Sequence, residues 1–325
     1  MGVCFIERRG LMIRFICKRL LGAIPSIFGL SIITFLLIQL IPGNPVLTYL
    51  RVSNIQASEE TVQAMRVEMG LDQPLVMQYV QWLANVLQFD FGTSFISKRS
   101  VLDEMMLHFI PTLQLTAVAF LLIIVCSIPL GIISALRRGK WFDRMAQLFA
   151  FSSVSLPTFW LGFLLIYFFS VQLDLLPVLG KESAAHFVLP ATTLALGYIG
   201  TYLRLIRAST IEVLSEPFVL YAQARGLKER TIVWRHIFKK AASPTLTGLG
   251  MSFGNMLGGA VIVENIFAWP GMGQLLVESI VNQDYPMIQG CVLLLGIVFV
   301  LINLVVDILC GWLDPRIRLA GERIK

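Results

Sequence analysis

Few side chains in this sequence have the type and spacing for bond-making chemistry. The three histidines, His108, His186 and His236, lie far apart, and no two share metal-ligand spacing. Cys4, Cys17, Cys126, Cys291 and Cys310 are scattered, with neither the knuckle spacing of a metal site nor a shared oxidising compartment. No GxxxxGKS or GxxxxGKT phosphate loop is present, so the chain brings no nucleotide site of that kind. Its apolar stretches contain no His–Glu pair, no paired aspartates and no Ser/Lys arrangement, which argues against an integral membrane enzyme. Polar and polarisable groups gather instead along one apolar stretch, where Met251, Asn255, Met256, Glu264 and Asn265 are the candidates for lining a path through a bilayer. Polar groups at membrane depth are costly unless they face protein or water. Glu264 has a second reading, in which it accepts backbone hydrogen bonds from the following WPGMG turn. Gly250, Gly254 and Gly258 recur at four-residue intervals on the same stretch, a spacing that permits close helix contact. No metal site is assigned.

A second concentration of signal lies between Ser215 and Pro244, and its chemistry is recognition. Ser215 can cap a helix with Glu216 and Pro217 in its first turn, and Gly226 ends that helix. Phe218, Tyr221 and Ala222 form one apolar side, and Ala222, Ala224, Arg225 and Gly226 offer a small-residue, basic surface. So short a helix is marginal alone and is expected to fit a groove on a partner.

The elements that must position these groups are membrane spans. The 325 residues are 56% apolar and only 14% charged, with mean hydropathy +0.77, against roughly 25% charged in soluble domains. Six stretches reach the roughly 20 mostly apolar residues of a spanning helix. They run over Leu20–Ile41, Ile110–Leu136, Met145–Leu173, Val188–Ile206, Pro244–Ala268 and Met287–Leu313. The first is expected to be a retained span, because it is longer than a signal-peptide core and no small-residue cleavage site follows. Of the 26 Lys and Arg residues, 21 fall before the first span, between spans two and three, at the end of span four or between four and five, or after the sixth. Positive residues stay in the cytoplasm, so both termini are expected inside. The net charge of +6 thus reflects topology and gives no reason to expect nucleic acid as a partner.

The long segment outside the bilayer, Pro42 to His108, has structure of its own. Ser58 reads as an N-cap followed by Glu59 and Glu60, with Gly70 as the stop. A second helix starts near Pro74 and carries Leu75, Tyr79, Trp82, Leu83 and Val86 at helical spacing. Asp90-Phe91-Gly92 then forms a turn. A packed cap on the spans and a docking surface or gate at the outer mouth are both consistent with this pattern. Further on, Trp269-Pro270-Gly271 breaks a helix and Asp284-Tyr285-Pro286 precedes the last span, so the residues between form a re-entrant scoop.

Ala222, Ala224 and Gly226 with Ser243-Pro244 downstream resemble the coupling loop of ABC-importer permeases, although Tyr221 stands where that pattern has Glu and Ser243 where it has Leu. GLDQPLVMQYVQWL (Gly70 to Leu83), FDFGTSF (Phe89 to Phe95), SVLDEM (Ser100 to Met105), ENIFAWPGMG (Glu264 to Gly273), DYPMIQG (Asp284 to Gly290) and DPRIR (Asp314 to Arg318) are similar to the permease family for dipeptides, oligopeptides and nickel. Within it, YLRVSN (Tyr49 to Asn54), FDFGTSF and ENIFAWPG look closest to the nickel-import branch.

The resemblance implies an all-α integral membrane protein of the type I ABC-importer permease fold, with six transmembrane helices and cytoplasmic termini. It divides the chain into a cytoplasmic N-terminus (1–19), a first transmembrane helix (20–41), an external helical segment (42–109), a five-helix permease core (110–313) with a coupling loop at about 207–243, and a cytoplasmic tail (314–325). It implies a second homologous permease, two ABC ATPase subunits and an external substrate-binding protein as partners in a bacterial inner membrane. ATP would be used by the ATPase subunits, and no cofactor would be bound by this chain. Glu216, Tyr221, Ala222, Ala224, Arg225 and Gly226 would be the ATPase-coupling residues. The implied cargo is nickel or a nickel chelate, with a dipeptide or oligopeptide as the alternative.

Overall fold

A computed structural model describes residues 2–40, 43–232 and 238–313. Ile41 and Pro42 at the end of the first expected span, Arg235, His236, and the tail from Asp314 with its DPRIR run lie outside the described residues. The described residues are helical throughout, apart from turns and one isolated bridge between Thr93 and Ser100.

The first helix, α1 (Gly2–Leu40), leads into a group of short helices: α2 (Pro45–Val52), α3 (Glu59–Glu68) and α4 (Leu75–Leu87). Local chemistry sets their ends. Asn44 accepts from the Val46 N–H at 3.0 Å and Pro45 opens α2. Ser58 accepts from the Thr61 N–H at 3.2 Å ahead of Glu59 and Glu60, and Gly70 stops α3 with φ +65°. α5 (Val101–Leu136) follows, with Asp103 and Glu104 in its first turn.

The third expected span is broken. α6 (Trp141–Ser155) and α7 (Thr158–Leu165) meet at a bend of 109°, and α7 continues as a π-helix over Ile166–Gln172. Pro157 caps α7 and supplies the physical cause, since a proline disfavours helix in the residue before it. α8 (Val188–Leu214) continues well past the expected boundary at Ile206. The hairpin of α9 (Pro217–Ala224) and α10 (Glu229–Ile232) comes next. α11 (Phe238–Ile266), α12 (Met272–Val281) and α13 (Tyr285–Leu313) complete the described chain.

Three described helices are long and apolar enough to cross a membrane: Ile16–Leu40 of α1, α5, and Tyr285–Leu309 of α13. The bent α6–α7 pair adds a fourth if counted as one span. α8 and α11, at 27 and 29 residues, also have the length of a span. The main core is built where α5, α8 and α11 meet, through residues such as Leu115, Ile123, Leu194, Ala195, Met256 and Val263. A helix that faces other helices has no need to be apolar all round.

α8 is gripped closely on two sides. A Cβ added to Gly200 would stand 2.7 Å from the Ala150 carbonyl oxygen of α6. One on Gly131 of α5 would stand 3.0 Å from the Leu203 carbonyl oxygen and closer still to Ile206. α1 lies at the periphery against α13, where Leu30 fills the space over Gly296 and Arg19 forms an ion pair with Asp307.

Candidate functional site

The C-terminal end of α11 is tied into a buried knot. Two residues beyond Ile266, Ala268 turns the chain with a φ of +45°, and the Trp269 N–H donates back to the Glu264 carbonyl at 2.9 Å. Trp269 is fully buried, packs edge-on against Phe187 and donates its indole N–H to the Pro111 carbonyl of α5 at 3.0 Å. Glu264 Oε2 accepts from the backbone N–H groups of Gly273 and Gln274 at 2.6 and 3.3 Å. Its Oε1 accepts from the Thr112 hydroxyl at 2.6 Å, and Thr112 in turn accepts from the Met272 N–H at 2.8 Å. One carboxylate thus satisfies the exposed N–H groups at the start of α12 and links them to α5, as a helix N-terminus favours. Gly273 is required here, because a Cβ would strike the Cα of Val261. A second carboxylate works alike nearby. Buried Asp284 accepts from the Ser94 hydroxyl at 2.5 Å and the Phe95 N–H at 3.1 Å, holding the external FGTSF turn to the start of α13.

The candidate path residues separate into two groups. Met251, Asn255 and Asn265 are exposed on α11 and share a stripe with Gly258 and Ile262. Met256 and Glu264 are fully buried on other faces of the helix. Both were expected beside Asn255 on a path; within this chain they are covered, and Glu264, nine positions from Asn255, lies on the opposite side of a 3.6-residue helix. The three glycines also divide. Gly250 receives Val306 of α13 and Gly254 receives Phe299 and Asn303, but nothing lies within 4 Å of a Cβ on Gly258, so it packs against no neighbour in this chain.

Neither described histidine is placed as a metal ligand. His108 Nδ1 lies 2.8 Å from the Glu104 carbonyl, and His186 Nδ1 accepts from the Ser183 N–H at 3.1 Å. Among the described residues no group of three or more His, Cys, Asp and Glu side chains is set to hold a metal ion.

In the α9–α10 hairpin, Gly226 has φ +74° and the Leu227 N–H donates to the Ala222 carbonyl at 3.2 Å, closing α9. Two details differ from expectation. Ser215 ends α8, its hydroxyl donating to the Glu212 carbonyl at 2.7 Å, and does not cap α9. Ala222 is buried with Val219, Ile232 and Val213, so Tyr221 points the other way, and the exposed surface is Tyr221, Ala224, Arg225 and Gly226. Glu216 pairs with Lys240, which also lies 5.2 Å from the Phe218 ring centroid, pinning the base of the hairpin to the start of α11.

A clasp that spacing alone did not reveal joins α6 to α8. Asp143 at the start of α6 is buried and takes a two-point contact from Arg207 of α8, at 2.6 Å from Nε and 2.8 Å from Nη2. The Ser134 hydroxyl of α5 donates to it at 2.6 Å and the Gly139 N–H at 2.8 Å. The Arg207 guanidinium holds the Asp143 carboxyl well below the usual carboxylate range, against the opposing push of burial. The only hint in sequence is one carboxylate inside the basic run RRGKWFDR.

Residues 127–319 match the family described as binding-protein-dependent transport system inner membrane component, and residues 12–116 match its N-terminal component. The chain is 41% identical over 307 residues to the glutathione transport system permease protein GsiC of Escherichia coli, covering 94% of this chain and 99% of the relative. It is 40% identical, with the same coverage, to GsiC of Shigella flexneri serotype 5b. Among solved structures, inward-facing conformations of the MetNI methionine ABC transporter align with TM-scores of 0.52 and 0.53 at 17% and 18% identity. Each covers 65% of this chain and 96% of the other, a likeness of fold.

Proposed function

We propose that this chain, which belongs to the family of inner membrane components of binding-protein-dependent transport systems, forms half of an ATP-driven import path for small peptides of the glutathione type. It is a multi-pass membrane subunit with a type I importer permease fold. ATP hydrolysis belongs to partner subunits, and the chain itself binds no cofactor in this reading. A second permease would complete the path, two ATPases would sit below it, and an external binding protein would deliver cargo.

The observation that carries the cargo is the near full-length likeness to permeases named for glutathione. The nickel reading rested on YLRVSN, FDFGTSF and ENIFAWPG, and residues of all three have packing partners within the chain. Tyr49 packs edge-on against Phe95 and under Lys98, Asn54 turns the chain at φ +52°, Ser94 and Phe95 bond to Asp284, and Glu264 is buried in the knot. These contacts account for the motifs without a role in nickel binding, which leaves the glutathione likeness to support the peptide reading.

The coupling route follows from the connections between elements. Tyr221, Ala224, Arg225 and Gly226 present the surface that an ATPase groove would take. A shift of this hairpin reaches α8, to which it is joined, and the Asp143–Arg207 clasp passes it to α5 and α6. The Met251–Asn255–Asn265 stripe of α11 would face the path or the second permease, and its small Gly258 leaves room there. Alternating access would then follow from tilting α8 and α11 together. The test is ATP-dependent uptake by the reconstituted complex, with labelled glutathione, a labelled dipeptide and labelled nickel in parallel. Peptide uptake that nickel does not compete is the expected result. Nickel uptake without peptide uptake would overturn the cargo assignment.

A further inference from the structure

We propose that α4 lies within the outer leaflet of the bilayer, with its Val76–Val80–Leu87 face and the adjoining Phe89 covered by lipid acyl chains. α4 reads LVMQYVQWLANVL and has no charged residue. Its polar residues Gln78, Gln81 and Asn85, followed by Gln88, recur at helical spacing and form one narrow stripe. One apolar side packs within the chain. Tyr79 and Trp82 stand against Phe35 of α1 with ring centroids 5.4 and 5.9 Å apart, and the Tyr79 hydroxyl lies 2.8 Å from that of Ser31. The other apolar side is bare: Val76 is 75% exposed and Leu87 74%, with Val80 between them at helical spacing.

The depth of this contact identifies what covers the bare side, given the orientation read from the basic residues. Phe35 and Ser31 come five and nine residues before the outer end of α1 at Leu40, about 8 and 14 Å along the helix axis. From the cytoplasmic edge, marked by the Arg19–Asp307 ion pair, Ser31 is about 18 Å along the axis. In a hydrocarbon layer about 30 Å thick, both measures put the contact in its outer half. A charge-free helix docked at that depth has acyl chains beside it.

Phe89 gives an independent sign. It closes α4 in the left-handed conformation, φ +62°, where the Phe89 N–H donates to the Val86 carbonyl at 2.9 Å and the Asp90 N–H to that of Asn85 at 3.0 Å. Glycine is the usual residue at such a position. Ala268 follows α11 in the same conformation, but there buried Trp269 compensates from inside the chain. Phe89 is 73% exposed, so packing within the chain returns little of the strain. Burial of the ring in lipid would return it, since moving an apolar side chain out of water is favourable. α4 thus acts as a lateral anchor that holds the external segment flat on the bilayer.

The experiment uses the whole complex in phosphatidylethanolamine–phosphatidylglycerol vesicles. Nitroxide labels go on Val80→Cys, Leu87→Cys and Gln81→Cys in a background with the native cysteines replaced, and collisions with oxygen and with chromium oxalate are compared. Oxygen should dominate at 80 and 87 and chromium oxalate at 81, a change of sign within one helical turn. Chromium oxalate dominating at all three sites overturns the proposal, and so does exclusion of both reagents at 80 and 87, which would mean a protein cover. If the cysteine-free background does not assemble, benzoyl-phenylalanine at position 80 in the native chain gives the answer by photolysis: phospholipid adducts are expected, and a crosslink to another subunit overturns the assignment.

Discussion

The knot around Glu264 and the hairpin around Gly226 are both built from a helix end, a short second helix and a glycine, yet they are finished to different degrees. In the knot every oxygen of the Glu264 carboxylate has a donor, Trp269 is sealed between α5 and Phe187, and the glycines are crowded by neighbours. In the hairpin Gly226 has open space around it, Tyr221 projects outward, and attachment to the body relies on Ala222, Val219 and the Glu216–Lys240 pair. The knot is complete within one chain. The hairpin keeps surface that the described residues leave unused. A turn that is fully satisfied positions other groups, whereas a turn with unused surface is the one that receives a partner.

Substitutions can break this contrast. Glu264→Ala should have the largest effect on stability, about 3–5 kcal/mol, because it strands buried backbone N–H groups and opens a cavity. Thermal unfolding of the purified complex measures it, and a neutral result would remove the knot from its role. Asp143→Ala should follow at about 2–4 kcal/mol by leaving Arg207 half-buried without its carboxylate. That pair also makes a pH prediction. The folded Asp143 carboxyl titrates below its unfolded value of about 3.9. Its contribution is therefore full above about pH 5 and lost as the pH falls below that range. Asp143→Asn should flatten this acid-side loss while wild type keeps it.

Gly226→Ala should cost only about 1 kcal/mol, the strain of a side chain at φ +74°. Gly226→Leu should cut ATP-driven uptake by at least about tenfold with membrane insertion intact, a split expected only of a docking surface. Full uptake by that variant would end the coupling assignment. Smallest of all, Lys240→Ala should change stability by about 0–1 kcal/mol, since the Lys240 side chain is largely in solvent.

Much of the architecture was legible because lipid demands long apolar runs. The stretches around α1, α5, α8, α11 and α13 can be read from hydropathy, and the caps at Ser58, Gly70 and Gly226 from local chemistry. The bend at Pro157 was not read, because Met145–Leu173 is uniformly apolar and composition is blind to direction; the proline itself was the available signal. The orientation of Ala222 and Met256 was hidden for a related reason. On helices apolar on several sides, periodicity does not say which side meets protein. Thr112, Pro111 and Arg207 were missed because their partners Glu264, Trp269 and Asp143 are distant in sequence, and pairing across a fold leaves no local pattern.

The two close approaches to α8 set a rule for how this chain can change over generations. At Gly200 even a single methyl would meet the main chain of α6, and Gly131 has a similarly fixed neighbour in Leu203. A main-chain atom cannot be exchanged for a smaller one, so no second substitution can make room. A saturation library at these two positions should return glycine alone, whereas at Gly258, with nothing facing it in the chain, larger residues should survive wherever the neighbouring subunit tolerates them. Among descendants, positions 131 and 200 would stay still while the α11 stripe is free to drift with its cargo.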